Sequence, residues 1–150
     1  MTSTSGHLED EARAFVSAAR RATLGTIAPD GRPRLVPVCF VLIGVDVFIA
    51  IDDKPKRSAD PLSLARVRDI LARPTVTLLI DAWDEDWSKL AWVRIDGAAD
   101  LLEPAAPGHD KAVTALRTKY PQYAGHAIDD RPLIRIAIER VVSWTAQART

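Results

Sequence analysis

At 150 residues the chain has the length of a single domain, and folding a chain of this size buries roughly two-thirds of its extended surface. A composition of 47% hydrophobic and 27% charged residues, with only seven Gly and ten Pro, excludes a disordered, collagen-like or low-complexity protein. Twenty basic and twenty acidic side chains cancel, so no global field draws the chain to nucleic acid or to an anionic membrane.

Cys39 has no second cysteine to pair with, which suits a reducing cytoplasm. The longest apolar stretch, Leu35 to Val45, is broken by Pro37 and Gly44 and falls short of the ~20 residues a membrane span needs. The opening MTSTSGHLEDEARAF has no basic region ahead of an apolar core, so it does not read as a signal peptide. The expectation is one soluble cytoplasmic domain over 1–150, with 1–7 a flexible lead.

From Leu8 to Arg21 the apolar residues recur at helical intervals. Glu9, Asp10 and Glu11 open this helix, and Arg20 and Arg21 close it in the order its dipole favours. Thr23 to Ala28 alternates and is cut by Pro29–Asp30–Gly31, a hairpin signal. Arg32 to Ile43 reads as one long strand, bulged or at an edge where Pro37 removes a donor, and Val45 to Ile51 as its partner across Gly44. This pair is apolar on both faces, as a barrel wall or a subunit interface requires.

After a polar break over 52–61, Ser63 to Arg73 reads as a helix capped by Ser63, with Leu64, Val67, Ile70 and Leu71 on one face. Thr75 to Ile80 is a strand. The acidic and aromatic stretch Asp81 to Lys89 is a hairpin loop, and Leu90 to Leu102 a long strand with a bulge or close approach at Gly97. Ala112 to Tyr120 is a short helix, and Leu133 to Trp144 the closing strand. About six strands and three short helices, without strand–helix–strand alternation, predict a mainly β (α+β) antiparallel barrel with peripheral helices. Neither GxGxxG nor GxxxxGK[ST] occurs, so those nucleotide loops are excluded.

The segment DDKPKR stands out. Lys54, Lys56 and Arg57, with Ser58 alongside, follow an apolar strand directly. Such a cluster holds a phosphate, or it is a solvated loop whose charges pair with Asp52, Asp53 and Asp60. His7, His109 and His126 lack metal-site spacing and read as surface residues. Cys39 reads as a small core residue. Asp81, Asp84, Glu85 and Asp86 lack EF-hand order and read as a solvated hairpin tip. Trp83, Trp87, Trp92 and Trp144 read as core or dimer contacts, with Trp87 and Trp92 flanking a hairpin able to line a planar-ring site.

Together these segments resemble the flavin/deazaflavin oxidoreductase superfamily of split β-barrels, the group of the pyridoxamine 5'-phosphate oxidase-like proteins. The likeness runs from about Arg13 to Trp144. It rests on ATLGTIAPDGRPRLVPVCFVL, on VFIAIDDKPKRS with its following helix, and on the strand pair around WSKLAWVRIDGAADLL. Within the superfamily the sequence is most similar to the actinobacterial branch of coenzyme F420-dependent enzymes.

The resemblance implies a six-stranded antiparallel split β-barrel and a homodimer with the cofactor in a groove between the barrels. It implies that Lys54, Lys56 and Arg57, with Ser58, bind the phosphate. Val36, Pro37, Val38, Cys39 and Phe40, with Ala50, Ile51 and Asp52, would line the ring. Trp87, Trp92 and Arg94 would reach the site from the partner chain. The implied activity is hydride transfer between F420 and a small unsaturated or quinone-like substrate. FMN is the alternative cofactor, and a non-catalytic flavin, deazaflavin or haem binder the alternative of another class. F420 would call for further cations such as Arg32, Arg34 or Arg66 for its anionic tail. The vitamin B6 oxidases end in an Arg-rich substrate-binding stretch, whereas this sequence ends SWTAQART, which argues against oxidation of pyridoxamine phosphate. No proton donor is identifiable: water, Tyr120 or Tyr123 could serve.

Overall fold

The structure, a computed structural model, describes residues 2–51 and 61–146. The strands are β1 (Thr2–Ser5), β2 (Ala22–Ile27), β3 (Pro33–Val38), β4 (Val41–Ile43), β5 (Asp46–Ala50), β6 (Thr75–Ala82), β7 (Ala91–Leu102) and β8 (Leu133–Thr145). The helices are α1 (Asp10–Ala18), α2 (Ala65–Ala72) and α3 (His109–Lys119). All strand pairs are antiparallel, in the order β3-β2-β6-β7-β8-β5-β4, with β1 also on β8.

β3 and β4 occupy the two ends of that order, yet only Cys39 and Phe40 separate them in sequence. So short a link brings the sheet's edges together, which curls the sheet into a split barrel. The expected single strand over Arg32 to Ile43 is therefore two strands, bent after Val38, the last residue paired with β2, where Phe40 turns inward. With that division and the pairing of β1 to β8, the described strands number eight rather than six. Residues 2–5, expected in the flexible lead, form an edge strand in register with Val141 to Trp144.

Alternation explains the interior. Leu24, Val76, Leu78, Ile80, Val93, Ile95, Ile134 and Ile136 point into the barrel and meet Leu8 and Val16 from the N-terminal segment. Burying each such side chain stabilises by roughly 1.5–3 kcal/mol. β5 is apolar on both faces for a reason internal to the chain. Val47 and Ile49 join the barrel core, while Phe48 and Ala50 pack under Ala112, Val113 and Leu116 of α3. Its second apolar face needs no second subunit. β3 differs, since Leu35 on its outer side stays 69% exposed, near the exposed Leu79 of β6.

Two glycines shape the sheet. Gly31 takes φ +87° in the turn that joins β2 to β3. Gly97 sits at the bulge where β7 slips against β8, and a Cβ there would lie 2.3 Å from the Ala137 carbonyl oxygen.

α2 departs from expectation at both ends. Leu64, not Ser63, occupies the N-cap position, and Ser63 ends a 3-10 turn, Pro61–Ser63. Leu71 is 56% exposed, because the buried stripe runs through Val67, Asp69 and Ile70 instead. Asp69 is drawn inward by Thr26, whose hydroxyl donates to it at 2.8 Å, and by Arg34, whose Nε donates at 2.7 Å. The inward carboxylate fixes the rotation of α2 against β2 and β3. No helix among the described residues is long and apolar enough to cross a membrane.

Candidate functional site

Where the barrel splits, a cavity of about 280 Å³ opens between the end of β3, the end of β5, α2 and the turn after α3. Pro37, Val38, Cys39, Ile49 and Ala50 form its apolar wall, and Arg21, Arg66 and Tyr123 supply its polar groups. Topology explains the convergence: the β3–β4 link must cross from one sheet edge to the other, and the end of β5 lies alongside.

Of the residues expected to line a ring, Pro37, Val38, Cys39 and Ala50 meet in this cavity. Val36 packs against the barrel core instead. Phe40 and Ile51 are fully buried beneath it. Cys39 is half-buried, packed against the core cluster under α3 and at the same time part of the cavity wall. Asp52, Lys54, Lys56, Arg57 and Ser58 lie outside the described residues, in the segment that follows Ile51.

The backbone of Phe40, freed from either ladder, is satisfied by Tyr120. Its N–H donates to the Tyr120 hydroxyl at 3.2 Å, and that hydroxyl lies 3.1 Å from the Phe40 carbonyl and 3.0 Å from the Arg20 carbonyl. Burial pushes the Tyr120 hydroxyl above its ordinary pKa, which keeps it neutral and able to donate.

The charged groups that line the cavity, Arg21 and Arg66, are both cations. The Arg66 Nε is buried and has no hydrogen-bond partner among the described residues. The Lys119 amine rests 3.9 Å from the Phe40 ring centroid, and the Arg20 guanidinium 4.7 Å from that of Tyr120. Burial first, then the positive charge of Arg20, lowers Lys119 to about 8, against a smaller opposing effect of Cys39. An anion entering the cavity would meet the unmet donor of Arg66.

Of the cations considered for an anionic tail, Arg66 is at the cavity. Arg34 is engaged with Asp69 at 2.7 Å, and Arg32 with Asp30 at 3.5 Å beside the β2–β3 turn. Arg21 and Tyr123 were not among the expected lining residues, since only the closure of the sheet and the turn after α3 bring them there. No three His, Cys, Asp or Glu residues come together as a metal site among the described residues.

Trp87, Trp92 and Arg94 stand elsewhere. Trp87 is 67% exposed in the 3-10 turn Trp87–Lys89, and the Arg94 guanidinium lies 5.4 Å from the Trp92 ring centroid. Trp92 and Lys89 border a second cavity, of about 290 Å³, with Phe15 and Trp144. Trp92 pairs with Trp144 near the end of β8, whereas Ala50 pairs with Leu133 at its start. That separation is roughly 35 Å along the strand at ~3.3 Å per residue. Within one protomer the two groups do not share a site.

His109 corrects the expectation of three surface histidines. It is fully buried in the first turn of α3 and donates from Nε2 to the Arg131 carbonyl at 2.7 Å. Of the four acids expected at the hairpin tip, Asp81 belongs to β6, paired with Trp92, and Asp84 is half-buried, while Glu85 and Asp86 are exposed and Asp86 accepts from the Ser88 N–H at 3.1 Å.

Comparison with solved structures identifies the same architecture. A conserved hypothetical protein of Mycobacterium tuberculosis superposes with a TM-score of 0.72 at 22% identity, covering 94% of this chain and 88% of that one. The heme storage protein HutZ of Vibrio cholerae gives 0.70 at 16% identity, covering 93% and 94%. A FAD-binding protein of Mesorhizobium loti gives 0.64 at 23% identity, covering 95% of each chain. The family model for pyridoxamine 5'-phosphate oxidase matches residues 8–145, nearly the whole chain, so this protein belongs to the pyridoxamine 5'-phosphate oxidase family.

Proposed function

We propose that the cavity at the barrel split holds the ring of a flavin-type cofactor, coenzyme F420 in the first instance. The protein would then act as an oxidoreductase on a small unsaturated or quinone-like substrate. The observation that carries this reading is the buried Arg66 Nε, without a hydrogen-bond partner among the described residues, over an apolar wall of Pro37, Val38, Cys39 and Ala50. A donor left unmet inside a protein costs about 1–3 kcal/mol, and an anionic ligand recovers it. Family membership and the FAD-binding relative of similar fold support a flavin-type ring.

Bound, the cofactor supplies the hydride chemistry. This chain's residues bind and orient. Arg66 and Arg21, with Lys54, Lys56 and Arg57 of the adjoining segment, take the anionic groups, and the apolar wall excludes water from one face of the ring. Holding a donor face at near-attack distance from a substrate lowers a barrier by ~7 kcal/mol or more. A homodimer would bring the partner's Trp87, Trp92 and Arg94 toward the site, its interface drawing on the exposed Leu35 and Leu79. A half-buried lone cysteine suits a cytoplasmic location.

Side-by-side fluorescence titration of the purified protein with F420 and FMN tests this reading. F420 should bind with about micromolar Kd or better. Arg66→Ala, and separately Lys56→Ala with Arg57→Ala, should each weaken it about tenfold or more, the worth of a charge-assisted bond. Unchanged affinity in both variants removes the anion clamp, and tighter FMN binding moves the cofactor to FMN. The fold likeness to HutZ, a heme storage protein, makes haem the third ligand in the titration. Haem binding with no reoxidation of reduced F420 by enones or quinones would make the protein a carrier. Sedimentation of the wild type beside Leu35→Lys checks the dimer: the variant should shift toward monomer, and a wild type already monomeric removes the shared groove.

A further inference from the structure

The second cavity, of about 290 Å³, lies between α1 and the place where β7 begins beside the end of β8. We infer that it is a binding site for a small aromatic anion, a body of one or two rings that bears a carboxylate. The site belongs to one protomer and stands apart from the cofactor reading. Trp92 alone is shared with the group proposed to face a partner's groove.

Alternation builds its walls. α1 turns Val16 into the barrel core, and Ala12 and Phe15, on the same side of the helix, border the cavity. Across from them Trp92 and Trp144 are direct partners in the β7–β8 ladder. Such partners point to the same face of a sheet, with Cβ atoms roughly 4.5–5.5 Å apart. Phe15, Leu90, Trp92 and Trp144 are each half-buried, so their apolar surface is only partly covered by the protein itself. Three aromatic rings around one opening suit a flat apolar body. Ligand pockets hold roughly 300–1,000 Å³, and a cavity at the small end of that range limits the body to one or two rings.

The polar groups of the lining give the ligand its charge. Lys89 is exposed, and its amine has no ion-pair or hydrogen-bond partner among the described residues. The same holds for the indole N–H groups of Trp92 and Trp144 and for the Ser143 hydroxyl. The acid in the lining, Glu11, has an interaction of its own. What the cavity offers a ligand is therefore a set of donors, one of them charged, and the ligand's part is an acceptor. Inorganic phosphate would find one cation here and leave the aromatic wall unused.

The backbone that carries Lys89 is fixed. Asp86 caps the turn Trp87–Lys89, accepting from the Ser88 N–H at 3.1 Å and from the Ser88 hydroxyl at 2.7 Å. The Lys89 N–H donates to the Asp86 carbonyl at 3.0 Å, and the Ala146 N–H closes the strand end on the Leu90 carbonyl at 3.0 Å. From that fixed base the flexible lysine stem brings its charge to the ligand.

Fluorine NMR of the full chain labelled with 5-fluorotryptophan gives four signals, one for each tryptophan, and single Trp→Phe substitutions assign them. The probes share one ring system: 2-naphthoate, 2-naphthylmethanol and 2-naphthylmethylammonium. With 2-naphthoate the Trp92 and Trp144 signals should move saturably, while that of Trp83, 68% exposed on the hairpin, stays. The alcohol should bind about fivefold more weakly, for want of one charge-assisted contact, and the ammonium more weakly again. Lys89→Gln, at an exposed position, should fold as the wild type does and bind acid and alcohol alike. Arg66→Ala, which alters the other cavity, should leave the shifts unchanged. Equal affinity for acid and alcohol in the wild type, or a preference for the acid that survives Lys89→Gln, overturns the inference. So do shifts at Trp92 and Trp144 that never saturate or that vanish in Arg66→Ala. None of these results decides whether F420 or FMN binds, which the titrations above settle separately.

Discussion

Gly97→Ala is expected to destabilise the fold by about 3 kcal/mol, lowering the thermal midpoint by roughly 6–12 °C for a chain of this length. The cause is local and steric. A Cβ at this position would stand 2.3 Å from the Ala137 carbonyl oxygen and 2.9 Å from the Ile136 Cγ2. The first of these is backbone of β8, so neither rotamer change nor side-chain repacking relieves it. β8 would have to move, and β8 pairs with β7, β5 and β1 at once. Larger residues should be worse. Gly125→Ala, with nothing within 4 Å of its added carbon, is the matched control and should stay within ~0.5 kcal/mol of the wild type. Thermal unfolding followed by circular dichroism compares them. A Gly97→Ala midpoint within ~2 °C of the wild type would mean that β7 and β8 do not approach as closely as the bulge requires.

Gly97 is also a case where the sequence carried its own signal, since a glycine inside a long alternating strand marks a bulge or a close approach. The Asp30–Gly31 turn and the presence of a helix before β2 are legible for the same reason, local and periodic information, although α1 ends at Ala18 and leaves Arg20 and Arg21 outside its last turn. The barrel is legible too, but not the point at which its sheet closes. Nothing in PRLVPVCFVLI says that its two halves sit on opposite edges, because the break depends on Tyr120, 80 residues away, receiving the Phe40 N–H. His109 was misread for a similar reason, its burial depending on a carbonyl at Arg131. The apolar wall of the cavity was expected through family resemblance, whereas Arg21 and Tyr123 enter it only through tertiary convergence. The basic residues from Lys54 to Arg57 stand out as a cluster, yet Arg66, in α2, is the cavity-lining cation whose buried Nε has no hydrogen-bond partner among the described residues.

Asp69→Asn is expected to cost about 2–3 kcal/mol, roughly 5–10 °C in the thermal midpoint, and to alter acid stability in a defined direction. The Asp69 side chain is 2% exposed and holds together α2, β2 and β3 through Thr26 and Arg34. The cost is small for a buried pair because Arg34 keeps 40% of its side chain in water. Burial pushes the carboxyl up, but hydrogen bonds from Arg34 and Thr26, with the charges of Arg34 and Arg68, outweigh it and hold the group below its ordinary value of 3.8. A depressed folded value means that the stabilisation is complete above that ordinary value and disappears as pH falls through the folded one. The gap between wild type and Asp69→Asn should therefore be constant from neutrality down to about pH 5 and close below about pH 4. Arg34→Met removes the strongest partner while burial remains, so its acid-unfolding transition should move to higher pH. A gap that persists unchanged into strong acid would mean that the carboxylate's charge is not what fixes α2. The consequence reaches the proposed site, because α2 carries Arg66. Loosening this anchor should weaken anionic ligands even though Asp69 lines no part of the cavity.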